Sequence, residues 1–166
     1  MAAKRGRAWT FPANVSTDLI FPGRYVEFLS DNDKLRSITL IDAREEFASQ
    51  VKPGDFVVAD DNFGMGSSRE QAALMMRLCG LSAVVAKSFA RIFFRNCINV
   101  GVPAIELDTA GIQDGDDLEV KLESGILINH SQGRTYTFPP LPGVMTRILD
   151  DGGLVAHIKK HGDFVV

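Results

Sequence analysis

Residues 61–73, DNFGMGSSREQAA, decide how this chain reads. They follow an apolar, strand-like run, Asp55-Phe-Val-Val-Ala59, and lead into a helical run from Arg69 to Leu78. Two glycines, two serines and an arginine therefore converge on a strand-to-helix turn. The first turn of a helix has backbone N–H groups without intrahelical partners and carries partial positive charge. Such a turn attracts carboxylates and phosphates and stabilises an oxyanion. A hydroxyl beside a guanidinium fork at that place points to chemistry on a small anionic substrate.

Working outward, the helix expected over 68–79 places Ala72, Met75, Met76 and Cys79 on one face, at i, i+3, i+4 and i+7. The methionine pair reads as core filler. Gly80 stops this helix, and Ser82-Ala-Val-Val-Ala86 is the next buried strand. A helix over 89–99 follows, with Phe89, Phe93 and Cys97 four residues apart, then a short strand over 103–107. This β-α-β-α-β order implies parallel strands covered by helices. Short strands are expected at 117–121, 126–129 and 135–138, with turns at Ser124-Gly125 and Gln132-Gly133. Pro139, Pro140 and Pro142 close that region, and one or two short helices over 149–160 end the chain. The expectation is a single α/β domain over 1–166 with a parallel core and an antiparallel, barrel-like addition.

Composition narrows the function. The chain has 166 residues, 45% hydrophobic and 23% charged, which suits a globular domain with a real core. Its net charge of −3 lacks the basic footprint of a nucleic-acid binder, and Lys4, Arg5 and Arg7 read as a solvated tail. No apolar run approaches the roughly 18 residues of a membrane span, and the N-terminus has no apolar signal core, so a cytoplasmic location is expected. Cys79 and Cys97, the only cysteines, fall in apolar helical patterns and read as buried free thiols. Two cysteines cannot supply the three or four thiolates of an iron–sulfur cluster. His130, His157 and His161 are not spaced as a metal site and read as surface or satisfied histidines. Residues 26–50 look polar and irregular, weakly helical near 42–50, and are a candidate mobile lid.

Two readings of Ser67 and Ser68 compete. Ser67 with Glu70, or Ser68 with Gln71, has the spacing of a capping box. Capping accounts for one serine, but not for Gly64 and Gly66, which permit close backbone approach to a ligand. Nor does it account for Arg69, whose charge opposes the helix dipole unless a bound carboxylate neutralises it. A dinucleotide fingerprint is broken at Arg69, and the following strand ends in Lys87-Ser88 instead of an acid. Ser67 also lacks the G-x-S-x-G setting of a nucleophile elbow.

Three strings in order, NFGMGSSREQA (62–72), AKSFARIFFRN (86–96) and NVGVPAIE (99–106), resemble the swivelling domain of the aconitase superfamily. The resemblance begins at Ser16-Thr-Asp-Leu-Ile-Phe-Pro-Gly-Arg-Tyr25 and reaches Gly152-Gly153-Leu154 and Lys159-Lys160-His161-Gly162. It is strongest to the stand-alone small subunits of 3-isopropylmalate dehydratases and homoaconitases. The resemblance implies a β/β/α swivelling domain with Ser67 as catalytic base, ionised as an alkoxide when it takes a proton alpha to a carboxylate. It implies Ser68 and Arg69 as substrate-binding residues. Arg24 joins them as a substrate-binding candidate, and Tyr25, Val26 and Glu27 form the loop that reads the substrate's variable arm.

The resemblance also implies a [4Fe–4S] cluster held by a separate large subunit, in a heterodimer or heterotetramer, with no metal bound by this chain. The implied activity is isomerisation of 2-isopropylmalate to 3-isopropylmalate by dehydration and rehydration, in leucine biosynthesis. Related small dicarboxylate or tricarboxylate substrates, homoaconitate, methylmalate (citraconate) or dimethylmalate, form the alternative, and a non-catalytic carboxylate-binding module is the third reading. Met65 stands where many members carry Cys, and Gln71 where others carry His. Glu27 sits where an apolar residue suits an isopropyl arm, so it points away, pairs with Arg24, or signals another substrate.

Overall fold

The computed structural model describes residues 3–164. Its seven strands form one curled, mixed sheet. They are β1 (Lys4–Phe11), β2 (Phe56–Ala59), β3 (Ala83–Ala86), β4 (Ala104–Glu106), β5 (Asp117–Lys121), β6 (Ile126–Asn129) and β7 (Arg134–Thr137). The helices are α1 (Thr17–Ile20), α2 (Asn32–Ser37), α3 (Phe47–Gln50), α4 (Glu70–Leu78), α5 (Arg91–Val100), α6 (Gly143–Asp150) and α7 (Leu154–His161), with a 3-10 helix at Gly23–Phe28. Strand order is β4-β3-β2-β1-β5-β6-β7. The steps β1→β2→β3→β4 are parallel and all run the same way across the sheet. Right-handed crossovers that step in one direction put every connection on one face.

That face carries the larger core. Trp9 and Phe11 of β1, Val57 and Ala59 of β2, and Val84 and Ala86 of β3 meet Ala72, Met75, Met76 and Cys79 of α4 and Phe93 and Cys97 of α5. The alternate residues Ala8, Phe56, Val58, Ala83 and Val85 face the other way. No helix among the described residues contributes to that side; the β5–β7 meander curls over it, and Leu118, Val120, Leu127 and Phe138 fill the second core. The layers are therefore sheet, sheet and helices, as expected.

The basic start is not a tail. It is the N-terminal half of β1, where Lys4–Arg7 pair antiparallel with Asp117–Val120, while Ala8–Phe11 pair parallel with β2. The arginines that look solvated in sequence are matched by acids far along the chain: Arg5 with Asp117, and Arg7 with Asp114 at 3.3 Å. Buried Asp55 locks this strand to the turn before β2. It accepts hydrogen bonds from Arg7 N–H (3.0 Å), Lys52 N–H (3.0 Å) and Trp9 Nε1 (2.9 Å).

Residues 26–50 are not irregular either. They form the second half of the 3-10 helix, then α2 and α3, and they insert Leu35, Ile38, Leu40 and Phe47 into the larger core. Arg44 fastens the segment to Asp114 and lies 4.7 Å from the Trp9 ring.

The three histidines are satisfied. His130 Nε2 lies 2.7 Å from Glu119. His157, fully buried, and His161 both meet Asp151 Oδ2, at 2.7 and 2.9 Å, and Lys160 donates to Asp151 Oδ1 at 2.6 Å. Sequence spacing of the histidines alone misses this cluster because its hub is a carboxylate. Its separations are those of hydrogen bonds, which clasp α6 to α7.

Two predictions follow from this packing. Asp55→Ala strands three N–H donors, two of them backbone groups, and lowers stability by about 3 kcal/mol; urea unfolding reads this as a lower midpoint at unchanged slope. The Lys160 ammonium and then the two imidazoles hold the Asp151 carboxyl below the usual carboxylate range. A depressed folded-state pKa contributes stability that is present above the unfolded value, about 4, and is lost as pH falls below it. Urea midpoints at pH 7 and pH 3 are expected to fall less with acid in Asp151→Asn than in the wild type.

Candidate functional site

Three loops leave the C-terminal ends of β1, β2 and β3, where open α/β sheets place their ligands. Backbone hydrogen bonds extend the parallel pairing into these loops. Asn14 N–H donates to Asp61 O, Gly64 N–H to Val15 O and Thr17 N–H to Met65 O, each at 2.8 Å. Phe63 N–H donates to Ser88 O and Ala90 N–H to Phe63 O, both at 3.0 Å. The DNFGMGSSR loop is thus held on both sides before α4 begins.

The two glycines serve this knitting. Gly64 has φ +78°, and a Cβ there would lie 2.1 Å from Phe93 Cγ. Gly66 has φ +104°, and a Cβ there would lie 3.3 Å from Thr17 Oγ1. Their close approaches within the chain are to the side chains of Phe93 and Thr17.

Neither serine caps α4. The residue before the helix is Arg69, in extended conformation (φ −60°, ψ 113°), with no side-chain cap. Ser67 turns instead toward α1: its N–H donates to Thr17 Oγ1 at 3.0 Å, and the two hydroxyl oxygens are 3.0 Å apart. Thr17 is buried, Ser67 half-buried and Ser68 exposed. Asn96 of α5 lies 3.4 Å from the Ser68 carbonyl. Arg69 Nη1 reaches Asp18 Oδ1 at 3.3 Å, an exposed pair that leaves most of the guanidinium fork available. Ser67, Ser68 and Arg69 therefore share one mouth at the uncapped start of α4.

The other candidates lie beside this mouth. A recess of about 140 Å³ is lined by Phe21, Gly23, Val26, Leu29, Arg69 and Gln71. Val26 (57% exposed) and Leu29 (44% exposed) present hydrocarbon at its rim. Tyr25 stacks on Phe28 with ring centres 5.3 Å apart. Arg24 does not join the serines: its guanidinium makes a bidentate pair with Asp42, which lowers the Asp42 carboxyl below its ordinary range. Glu27 is exposed and does not pair with Arg24.

Thr17 and Asp18 were missed as site residues. Their signal was the Ser16-Thr-Asp string, but contact with a serine and an arginine about fifty positions away leaves no spacing to read. Cys79 and Cys97 are both free and buried, and burial pushes both thiols up, Cys97 hardest. These sulfurs suit core packing and do not fit cluster ligation.

Comparison with known proteins matches this geometry. The family described as aconitase C-terminal domain matches residues 19–110. A "3-isopropylmalate dehydratase small subunit 2" of Archaeoglobus fulgidus is 50% identical over 161 residues, 97% of this chain and 98% of that one. A "methanogen homoaconitase small subunit" of Methanothermobacter thermautotrophicus is 49% identical over 156 residues, 94% of this chain and 91% of that one. The crystal structure of a 3-isopropylmalate dehydratase chain from Methanocaldococcus jannaschii superposes with a TM-score of 0.92 at 42% identity, covering 97% and 96% of the two chains. The chain thus belongs to the aconitase C-terminal domain family, among its stand-alone dehydratase small subunits.

Proposed function

We propose that this chain is the small subunit of a hydro-lyase that isomerises 2-isopropylmalate to 3-isopropylmalate by dehydration and rehydration. The observation that carries the substrate is the junction at Arg69: an oriented hydroxyl and a guanidinium fork on one side, an apolar recess on the other. A carboxylate accepts a bidentate contact from Arg69, reinforced by the Ser68 hydroxyl and the α4 N–H groups. A short branched alkyl arm then reaches Phe21, Val26 and Leu29. Ser67, as alkoxide, takes the proton alpha to the bound carboxylate; the C–H electron pair forms the alkene and the neighbouring hydroxyl departs. Returning water with the opposite orientation gives the isomer, and Ser67 gives its proton back.

This assignment needs a large subunit that carries a [4Fe–4S] cluster, since the two thiols here are core residues. Lewis-acid chemistry at the departing hydroxyl belongs to that partner. The buried free thiols suit a reducing, cytoplasmic setting. Homoaconitate brings a further carboxylate and calls for a cation at the arm. The cation of that loop, Arg24, is already held by Asp42, which favours the apolar arm. Methylmalate and dimethylmalate have short apolar arms and compete on size alone.

The test is anaerobic reconstitution with the cognate large subunit and assay on isopropylmalate, methylmalate, dimethylmalate and homoaconitate. Isopropylmalate is expected to give the highest kcat/KM. Ser67→Ala is expected to lower kcat by roughly a thousandfold with complex formation intact, and Arg69→Lys to raise KM. Turnover unaffected by Ser67→Ala would make the chain a carboxylate-binding module only. Preference for homoaconitate would move the arm assignment to Arg24.

A further inference from the structure

A serine hydroxyl is a very weak acid, so a base role for Ser67 requires something that favours the alkoxide. Arg69 is exposed and tied to Asp18, and the α4 N–H groups face the mouth. Among the described residues, the group in hydrogen-bond contact with Ser67 Oγ is the Thr17 hydroxyl.

Either hydroxyl could donate in that contact, and the surroundings of Thr17 favour Thr17 as the donor. Thr17 is 1% exposed, so water does not compete for it. Its oxygen accepts the Ser67 backbone N–H at 3.0 Å, which uses a lone pair. Its single proton then has Ser67 Oγ, 3.0 Å away, as its acceptor among the described residues. Accepting from an N–H while donating to a second oxygen polarises the O–H and strengthens its donation. A bond of this kind becomes charge-assisted when the acceptor ionises, and gains more in a site shielded from water.

The position of Thr17 is fixed by three further contacts. Its N–H donates to Met65 O at 2.8 Å, Phe21 N–H donates to its carbonyl at 2.9 Å, and Ser16 Oγ caps α1 through Leu19 N–H at 3.1 Å. Gly66 lets the loop pass close to its hydroxyl, as the 3.3 Å Cβ approach shows. The charged groups beside the pair are Asp18 on α1 and Arg69 ahead of α4, and they pair with each other.

We propose that Thr17 is a positioning residue for Ser67, holding its rotamer and donating the hydrogen bond that stabilises its alkoxide. The inference rests on the base role of Ser67 and adds to this chain a second residue on which turnover depends.

The experiment uses the reconstituted holoenzyme with Thr17→Val, Thr17→Ser and Thr17→Cys. Val removes the donor at constant shape, Ser keeps the hydroxyl without the methyl group, and Cys matches Ser with a weak S–H donor in place of the hydroxyl. Thr17→Val is expected to lower kcat roughly a hundredfold, with KM within about threefold. The acid limb of the kcat–pH profile, on which turnover rises as Ser67 ionises, is expected to move to higher pH, because an alkoxide without its donor forms less readily. Thr17→Ser is expected to restore turnover to within about fivefold, with the wild-type pH profile. Thr17→Cys falls between Ser and Val, and reports the same ordering should Val fail to fold.

Wild-type kcat and pH profile in Thr17→Val or Thr17→Cys would overturn the proposal. So would equal losses in Thr17→Ser and Thr17→Val with unmoved pH profiles, which would make Thr17 a packing residue. Ser67→Ala, assayed alongside, separates failure of this inference from failure of the base assignment itself.

Discussion

Strand β1 is the constraint on which the rest of the structure depends. Its first half is antiparallel to β5 and its second half parallel to β2, so one eight-residue strand joins both sheet regions. Because β2, β3 and β4 are then added in one direction, the right-handed crossovers place every helix before β4 on the same side. The opposite side of a parallel sheet is apolar and needs cover. The β5–β7 meander supplies it, which is why Phe56, Val58, Ala83 and Val85 are as fully buried as their alternates. Buried Asp55 fastens β1 to the turn that launches β2, and thereby sets the register from which the active loops depart.

That register is extended into the loops themselves. The short backbone pairings at Ser16 with Met65 and at Phe63 with Phe89 hold three loops as a continuation of the sheet. The mouth of the site is therefore held in place by backbone hydrogen bonds on both sides. Groups that stabilise developing charge contribute most when they need not reorganise during reaction. Arg69 illustrates the cost: a cation at a helix start opposes the dipole, and Asp18, itself exposed, offsets this only in part. The residual positive potential at the mouth suits the carboxylate of the proposed substrate.

Much of this was legible in the sequence, and the losses have physical causes. The βαβαβ core was readable because β2 and β3 are uninterrupted apolar runs and α4 and α5 keep strict helical spacing. Strand β1 was not, because half of it is an edge-like segment whose arginines are matched by Asp114 and Asp117, more than a hundred residues away. The helices of 26–50 were obscured because they are short and bury only isolated side chains, Leu35 and Phe47 among them. The capping signature at Ser67 and Ser68 was real in spacing but was overridden by tertiary contact with Thr17. The Asp151 hub was invisible because attention to histidine spacing overlooks the carboxylate that organises them.

The exposure of the site explains why one chain is not enough for the chemistry. The Arg69 side chain is 43% exposed and Asp18 69%, so both work in a medium close to water, where a charge contact at hydrogen-bond distance contributes little. Val26 and Leu29 hold their apolar faces to solvent at the same mouth, an arrangement that costs free energy until something covers it. Covering the mouth would bury those side chains, strip water from Arg69 and lower the local dielectric around Ser67 in a single step. Thr17 is the part already dry, and Ser67, Arg69 and the apolar rim are the parts that closure would dry. The chain holds its donors in place beforehand, and on the proposed function a partner surface closing over them would complete the catalytic environment.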